Sequence, residues 1–222
     1  MESLTLFQRL AVSLLPLVLA LTVREIVRGR MALALGDNTA KQQGRMSLNP
    51  LAHVDPIGTL LLPGVFIALS SAGLGGLLIG WAKFIPISER NFRNPRSGAV
   101  KVAAAGLLSN LVMAVLWAVV LKISVGMPGS SEGVWLGIGT MANLGIMFNV
   151  SFFVLNLLPL PPFDVGRMLL VTLPPKQSIA LEKLQPYTFL IILALAVLGV
   201  LGVIIAPIFR LVIALILLIV GL

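Results

Sequence analysis

The chain has 222 residues, of which 58% are hydrophobic and 11% charged, a balance that excludes a soluble domain of this size and makes the bilayer its solvent. It has no cysteine and one histidine, so disulfides, thiolate chemistry and a multi-histidine metal cluster within the chain are excluded. The net charge of +8 comes from short segments beside apolar runs without interleaved aromatics, which is the pattern of membrane topology and excludes a nucleic-acid surface as the first reading.

Runs long enough to cross about 30 Å of hydrocarbon, roughly 20 helical residues each, recur along the chain. The expectation is one integral membrane domain over residues 1–222. A first helix at about 6–35 has no small-residue cleavage site and is expected to be retained; Gly36-Asp37-Asn38 is its stop signal. The next apolar stretch, 57–79, is interrupted by Pro63, Gly73, Gly75 and Gly76, and is expected to be re-entrant rather than spanning. A short extended piece over 81–87 and a basic loop over 88–96 follow. Helices are expected at about 98–120 and 134–158, joined by a Gly/Ser/Pro turn. Pro159-Leu160-Pro161-Pro162 then breaks the chain before a short helix that ends near Leu173. The last apolar run is too long for one span and is expected to divide at Pro207 with Arg210, giving helices at 187–206 and 208–222. The fold class is therefore an all-α polytopic membrane protein.

If 57–79 does not cross, Lys41, Arg45, Lys83, Arg90, Arg93, Arg96, Arg167, Lys176 and Lys183 fall on one face, against Arg9 and Lys122 near the other. The positive-inside rule then makes the basic face cytoplasmic and places the N-terminus outside. Irregular backbone at membrane depth has to be buried against protein or line a wet cavity, so a re-entrant segment implies an enclosed polar site.

Arg24, Glu25 and Arg28 stand out, because two guanidiniums and a carboxylate near the end of a membrane helix are expensive and usually functional. Residues 24 and 28 share a helical face with Glu25 beside it. The plainer alternative is a helix that stops at Val23, leaving these side chains among headgroups. His53, beside Asp55-Pro56, is more in keeping with a local hydrogen-bonding role than with a ligand. Asn110, Asn149 and Asn156 are amides of the kind that join membrane helices, and Asn110, Asn156 and His53 are also candidates to line a cleft. Met141 and Met147 are packing residues.

Arg24-Glu25-Ile26-Val27-Arg28 occupies the place of a His-Glu-x-x-His motif. Around it run Leu48-Asn49-Pro50, His53-Val54-Asp55-Pro56, Gly80-Trp81-Ala82-Lys83, Asn94-Pro95-Arg96, Ala105-Gly106, Ser109-Asn110 and Asn156 through Asp164, with Gly166-Arg167. This series resembles the bacterial site-2 proteases, intramembrane zinc metallopeptidases, over roughly residues 20–185. The resemblance implies a site-2-protease-like helical core with short extended pieces, and a bacterial inner membrane as its location. In that family two histidines one turn apart and a distant aspartate hold zinc, and the glutamate between the histidines is the general base. Carried over, the ligand positions are Arg24, Arg28 and Asp164, and the general-base position is Glu25.

Arginine is always protonated and offers only donors, so of the three ligand positions Asp164 alone is competent to bind a metal. Phe84, Leu107 and Val165 also stand where the family pattern has proline, proline and glycine. The expectation is a catalytically inactive homologue with no cofactor, its partners the lipid bilayer and membrane-spanning peptide segments. Charge counting supplies a reason: the two guanidiniums give the same +2 as Zn²⁺ against Glu25 and Asp164, so an ion pair between these groups is expected. The alternative is an active intramembrane zinc metalloprotease cleaving membrane-spanning segments. A second alternative is a transport or anion-binding protein, whose mark would be paired internal repeats with matching broken helices; the sequence shows none.

Overall fold

The structure, a computed structural model, describes residues 6–47, 55, 56, 61, 83 and 85–222, with side chains from residue 12 onward. His53, Phe84 and, apart from Leu61, the expected re-entrant stretch 57–79 lie outside the described residues.

Helix α1 (Leu6–Ala34) is followed by the single turn α2 (Thr39–Gln42). After residues 85–88, which form neither helix nor ladder, and a 3-10 turn at Glu89–Asn91, come α3 (Pro95–Gly126) and α4 (Gly133–Asn156). Then follow α5 (Asp164–Thr172), α6 (Pro175–Glu182), a 3-10 turn at Gln185–Tyr187, α7 (Thr188–Val197) and α8 (Val200–Val220). The described residues contain no strand. Four helical stretches, Pro95–Gly126, Gly133–Asn156, Pro175–Val197 and Val200–Val220, are long and apolar enough to cross a membrane. The protein is an all-α polytopic membrane protein.

Helix ends follow local chemistry. Gly36, at φ +112°, ends α1 in a Schellman turn, with the Asp37 amide donating to Ala32 O at 2.9 Å and the Gly36 amide to Leu33 O at 3.1 Å. Gly36 is doubly constrained, because a Cβ there would lie 3.0 Å from Asn91 O. Helix α3 starts at Pro95 rather than near Gly98 because the Asn94 side chain caps it, accepting from the Ser97 amide at 3.1 Å, and proline suits the first turn.

The C-terminal run divides at Gly199, not at Pro207. Gly199 takes φ +73°, a left-handed conformation that costs glycine little, and so separates α7 from α8. Pro207 lies inside α8. Membrane helices tolerate such prolines where neighbouring groups take up the freed carbonyl, so the residue that reads as the stronger breaker is not the one that breaks.

The α3–α4 pair forms the centre. Ala114 and Ala118 of α3 bury against Ile146, Val150 and Val154 of α4, and Ile192, Leu201, Ile205 and Ile216 of α7 and α8 close the same core. A second apolar cluster joins Leu17, Ala20 and Leu21 of α1 to Phe148 and Phe152 of α4. One end of the bundle gathers the end of α1, the 85–96 segment, the start of α3 and the end of α5. The Arg93 amide donates to Leu35 O at 3.0 Å, and Arg96 donates to Val171 O at 2.5 Å and to Thr172 O at 2.7 Å. At the far end Lys122 of α3 donates to Val220 O of α8 at 2.6 Å.

Candidate functional site

At 1.5 Å per helical residue, Arg24 lies about 15 Å from the end of α1, Gly106 about 16 Å from the start of α3, and Asp164 about 12 Å from the end of α5. These three helix ends meet at one end of the bundle, so the three lengths bring the same residues to the same depth. There Arg24, Glu25, Arg28 and Asp164 are all buried, Glu25 at 0% exposure and Asp164 at 1%. Asp164 is the first residue of α5, where a carboxylate meets the positive end of the helix.

The expected ion pair is present, and it is a chain of pairs. Arg24 donates through Nη1 to Glu25 Oε1 at 2.8 Å, and through Nη2 to Asp164 Oδ2 at 2.7 Å and Asn156 Oδ1 at 2.9 Å. Arg28 donates through Nη1 to the same Glu25 Oε1 at 2.8 Å, and its Nε stands 3.9 Å from Asp164 Oδ1. The remaining oxygen, Glu25 Oε2, accepts the Ile85 amide at 3.0 Å. Two positive and two negative groups thus close on each other with no net charge. Hydrogen bonding is less complete than charge balance: Arg24 Nε, Arg28 Nε and Asp164 Oδ1 find no partner among the described residues.

The room for this cluster comes from Gly106. A Cβ there would stand 2.9 Å from Arg28 Cδ and 3.2 Å from Asp164 Oδ2. Gly166, two residues after Asp164, lets α5 start flush against the preceding loop, since a Cβ would fall 2.2 Å from the Leu160 carbonyl carbon.

Of the residues singled out from sequence, the fold brings Arg24, Glu25, Arg28, Asp164 and Asn156 together. Asn110 is one turn beyond Gly106 but belongs to another network. Its Nδ2 donates to Asn149 Oδ1 at 3.1 Å and to Ala20 O at 3.4 Å, and Asn149 Nδ2 donates to Gly145 O at 2.8 Å. Leu107 is buried on α3 and Val165 half-buried on α5. Sequence reading missed the Ile85 amide, for which no side-chain signal exists, and the spacing role of Gly106, whose signal is the small-residue run Ala103-Ala104-Ala105-Gly106.

No protein-family model and no solved structure matches the chain. Among curated proteins it is 35% identical over 183 residues to "Putative zinc metalloprotease YwhC" of Bacillus subtilis, covering 82% of this chain and 78% of that one. It is 30% identical over 181 residues to "Putative zinc metalloprotease Rip2" of Mycolicibacterium smegmatis, covering 81% of this chain and 64% of the relative. A Rip2 of Mycobacterium tuberculosis is 28% identical over 184 residues, and the chain spans 64% of its length. On the identity and coverage shared with YwhC, together with the all-α membrane fold, the chain belongs to the site-2-protease-like family.

Proposed function

We propose that this protein is a catalytically inactive member of its family, in which a buried arginine–carboxylate cluster replaces a zinc centre. The observation that carries the reading is the Arg24 guanidinium bridging Glu25 and Asp164 at 2.8 Å and 2.7 Å, with Arg28 beside it 2.8 Å from Glu25 and 3.9 Å from Asp164. The residues present do not fit zinc. A catalytic zinc takes three protein ligands with lone pairs and an open position for water, whereas Arg24 and Arg28 are permanent cations and donors only. Among the described residues no three His, Cys, Asp or Glu side chains come together. Both Glu25 oxygens are engaged, Oε1 accepting from both arginines and Oε2 from the Ile85 amide, and the two guanidiniums stabilise the charged carboxylate and so weaken it as a general base.

In this reading the cluster ties α5 and the 85–88 segment to α1 by ion pairing and hydrogen bonding, as a shared metal ion could. The protein would bind membrane-spanning peptide segments without cutting them, from a bacterial inner membrane, with its basic end in the cytoplasm and its N-terminus outside.

The test compares four full-length proteins: the given sequence, Arg24→His, Arg28→His and the double change, with Glu25→Gln added to the double as control. Cleavage of a model membrane segment and bound zinc are measured together. The expected result is no chelator-sensitive cleavage and no stoichiometric zinc except in the double variant, because one remaining guanidinium repels a dication. Chelator-sensitive cleavage by the unmodified protein, lost on Glu25→Gln, overturns the reading and restores an active metalloprotease, which the names of the relatives favour.

A further inference from the structure

The basic end of the bundle carries a groove that the charged cluster does not use. It is shallow and open, with a volume of about 470 Å³, and is lined by Leu170, Val171, Leu173, Pro174, Pro175 and Ser178, with Arg96 as its charged member. The groove lies where two spanning stretches begin, Pro95–Gly126 and Pro175–Val197, and therefore at the boundary between hydrocarbon and headgroups. One wall is apolar and one edge is cationic, which is the polarity of a phospholipid. Arg96 braces the last carbonyls of α5 through Nε and Nη2, and the residue is exposed, with guanidinium donors beyond the two these bonds use.

The charge around the groove is predominantly positive. Exposed Arg90, Arg93, Lys176 and Lys183 belong to the segments that meet there, against exposed Glu89 and Glu182. Arg45 joins the same end by donating to Lys83 O at 3.4 Å. A cluster of this kind beside membrane helices attracts anionic headgroups, each basic residue strengthening the attraction.

We propose that this groove is a binding site for an anionic phospholipid, with the phosphate on Arg96 and Lys176 and the upper part of one chain against Leu170, Leu173 and Pro174. The site is independent of the arginine cluster and of whether the protein cleaves peptides.

The full chain is reconstituted in vesicles of equal phosphatidylglycerol and phosphatidylcholine, extracted in mild detergent, and the retained lipids are quantified by mass spectrometry. Retained lipid is expected to be enriched in phosphatidylglycerol. Arg96→Gln and Lys176→Gln are each expected to lower that enrichment about fivefold, the factor that follows from the strength of one juxtamembrane basic residue. Because Arg96 also braces α5, Leu173→Trp serves as a second variant that fills the groove without altering charge, and it is expected to reduce retention as well. Lys122→Gln, at the other end, is expected to leave enrichment unchanged.

Equal retention of both lipids overturns the proposal. So does enrichment that survives both Lys176→Gln and Leu173→Trp, or an equal fall in Lys122→Gln, which would mark diffuse attraction. Displacement of the lipid by soluble glycerol phosphate would identify a small-anion site instead and overturn the lipid assignment.

Discussion

Glu25 and Asp37 are both buried carboxylates on or just past α1, and both hold the segment at 85–91, yet they are compensated by different means. Glu25 takes the Ile85 amide with one oxygen and two guanidiniums with the other. Asp37 is satisfied by neutral donors: the Ser88 amide at 2.8 Å, Asn91 Nδ2 at 2.8 Å, and the Thr39 amide and hydroxyl at 3.1 and 2.5 Å. Equal burial therefore does not explain the difference, and depth does. Asp37 follows the end of α1, where headgroups and water are within reach if the segment opens. Glu25 lies about 14 Å further in, at 1.5 Å per residue from Ala34, where an unpaired charge has no such refuge.

Removing Arg24 tests the comparison hardest. Arg24→Ala leaves Glu25 and Asp164 facing each other with Arg28 alone, and should lower stability by about 3 to 5 kcal/mol, the cost of stranding a buried charge. Unfolding followed in detergent by circular dichroism measures it. A loss under about 1 kcal/mol would show that the cluster behaves as a solvated surface pair does.

Gly106→Ala should cost less, about 1 to 3 kcal/mol, because it overpacks the cluster without removing a charge. The methyl group would press on Arg28 Cδ, 2.9 Å away, and on Asp164 Oδ2. Combining it with Arg28→Ala sharpens the point: if the clash is with Arg28, the double variant is less unstable than the two losses added.

The smallest effect is expected at Asp37, about 1 kcal/mol for Asp37→Asn, since an amide keeps one acceptor for the neutral donors. Here pH gives the sign. Burial pushes the Asp37 carboxyl up, but the hydrogen bonds from Thr39, Asn91 and the Ser88 amide outweigh it and hold the group below its usual range. A depressed carboxyl contributes stability above its unfolded value of about 3.9 and loses that contribution as pH falls through the lower folded value. The stability difference between the unmodified protein and Asp37→Asn should therefore shrink as pH is lowered from about 6 to about 2. A difference that stays constant would mean the charge on Asp37 is irrelevant to its hold on the segment.

The parts legible in the sequence were those set by composition and by formal charge. Apolar runs announced an all-α membrane protein, because nothing but helices or a closed barrel satisfies backbone groups in hydrocarbon. Arg24, Glu25 and Arg28 announced a costly charged site on α1, and the family resemblance added Asp164, after which the four charges sum to zero. What stayed hidden depends on backbone and on local contest. The Ile85 amide on Glu25 carries no residue signature. Gly199 and Pro207 both signal a break, and only the tertiary setting decides that α8 runs through the proline. Asn110 was legible as an amide of the kind that joins membrane helices, but its partner was not: Asn149, 39 residues on, accepts from it at 3.1 Å.

Gly145 is engaged from two sides at once. Its α-carbon lies under the ring of Trp117, where a Cβ would come within 2.4 Å, and its carbonyl accepts from Asn149, which in turn receives Asn110. Sliding α3 along α4 by one residue, a step of about 1.5 Å, would drive the indole against a side chain and pull the two amides out of reach. Turning either helix about its axis would do the same. The α3–α4 pair is in effect a fixed beam, so any displacement that opens the charged cluster has to be carried by α1 and α5 moving against it.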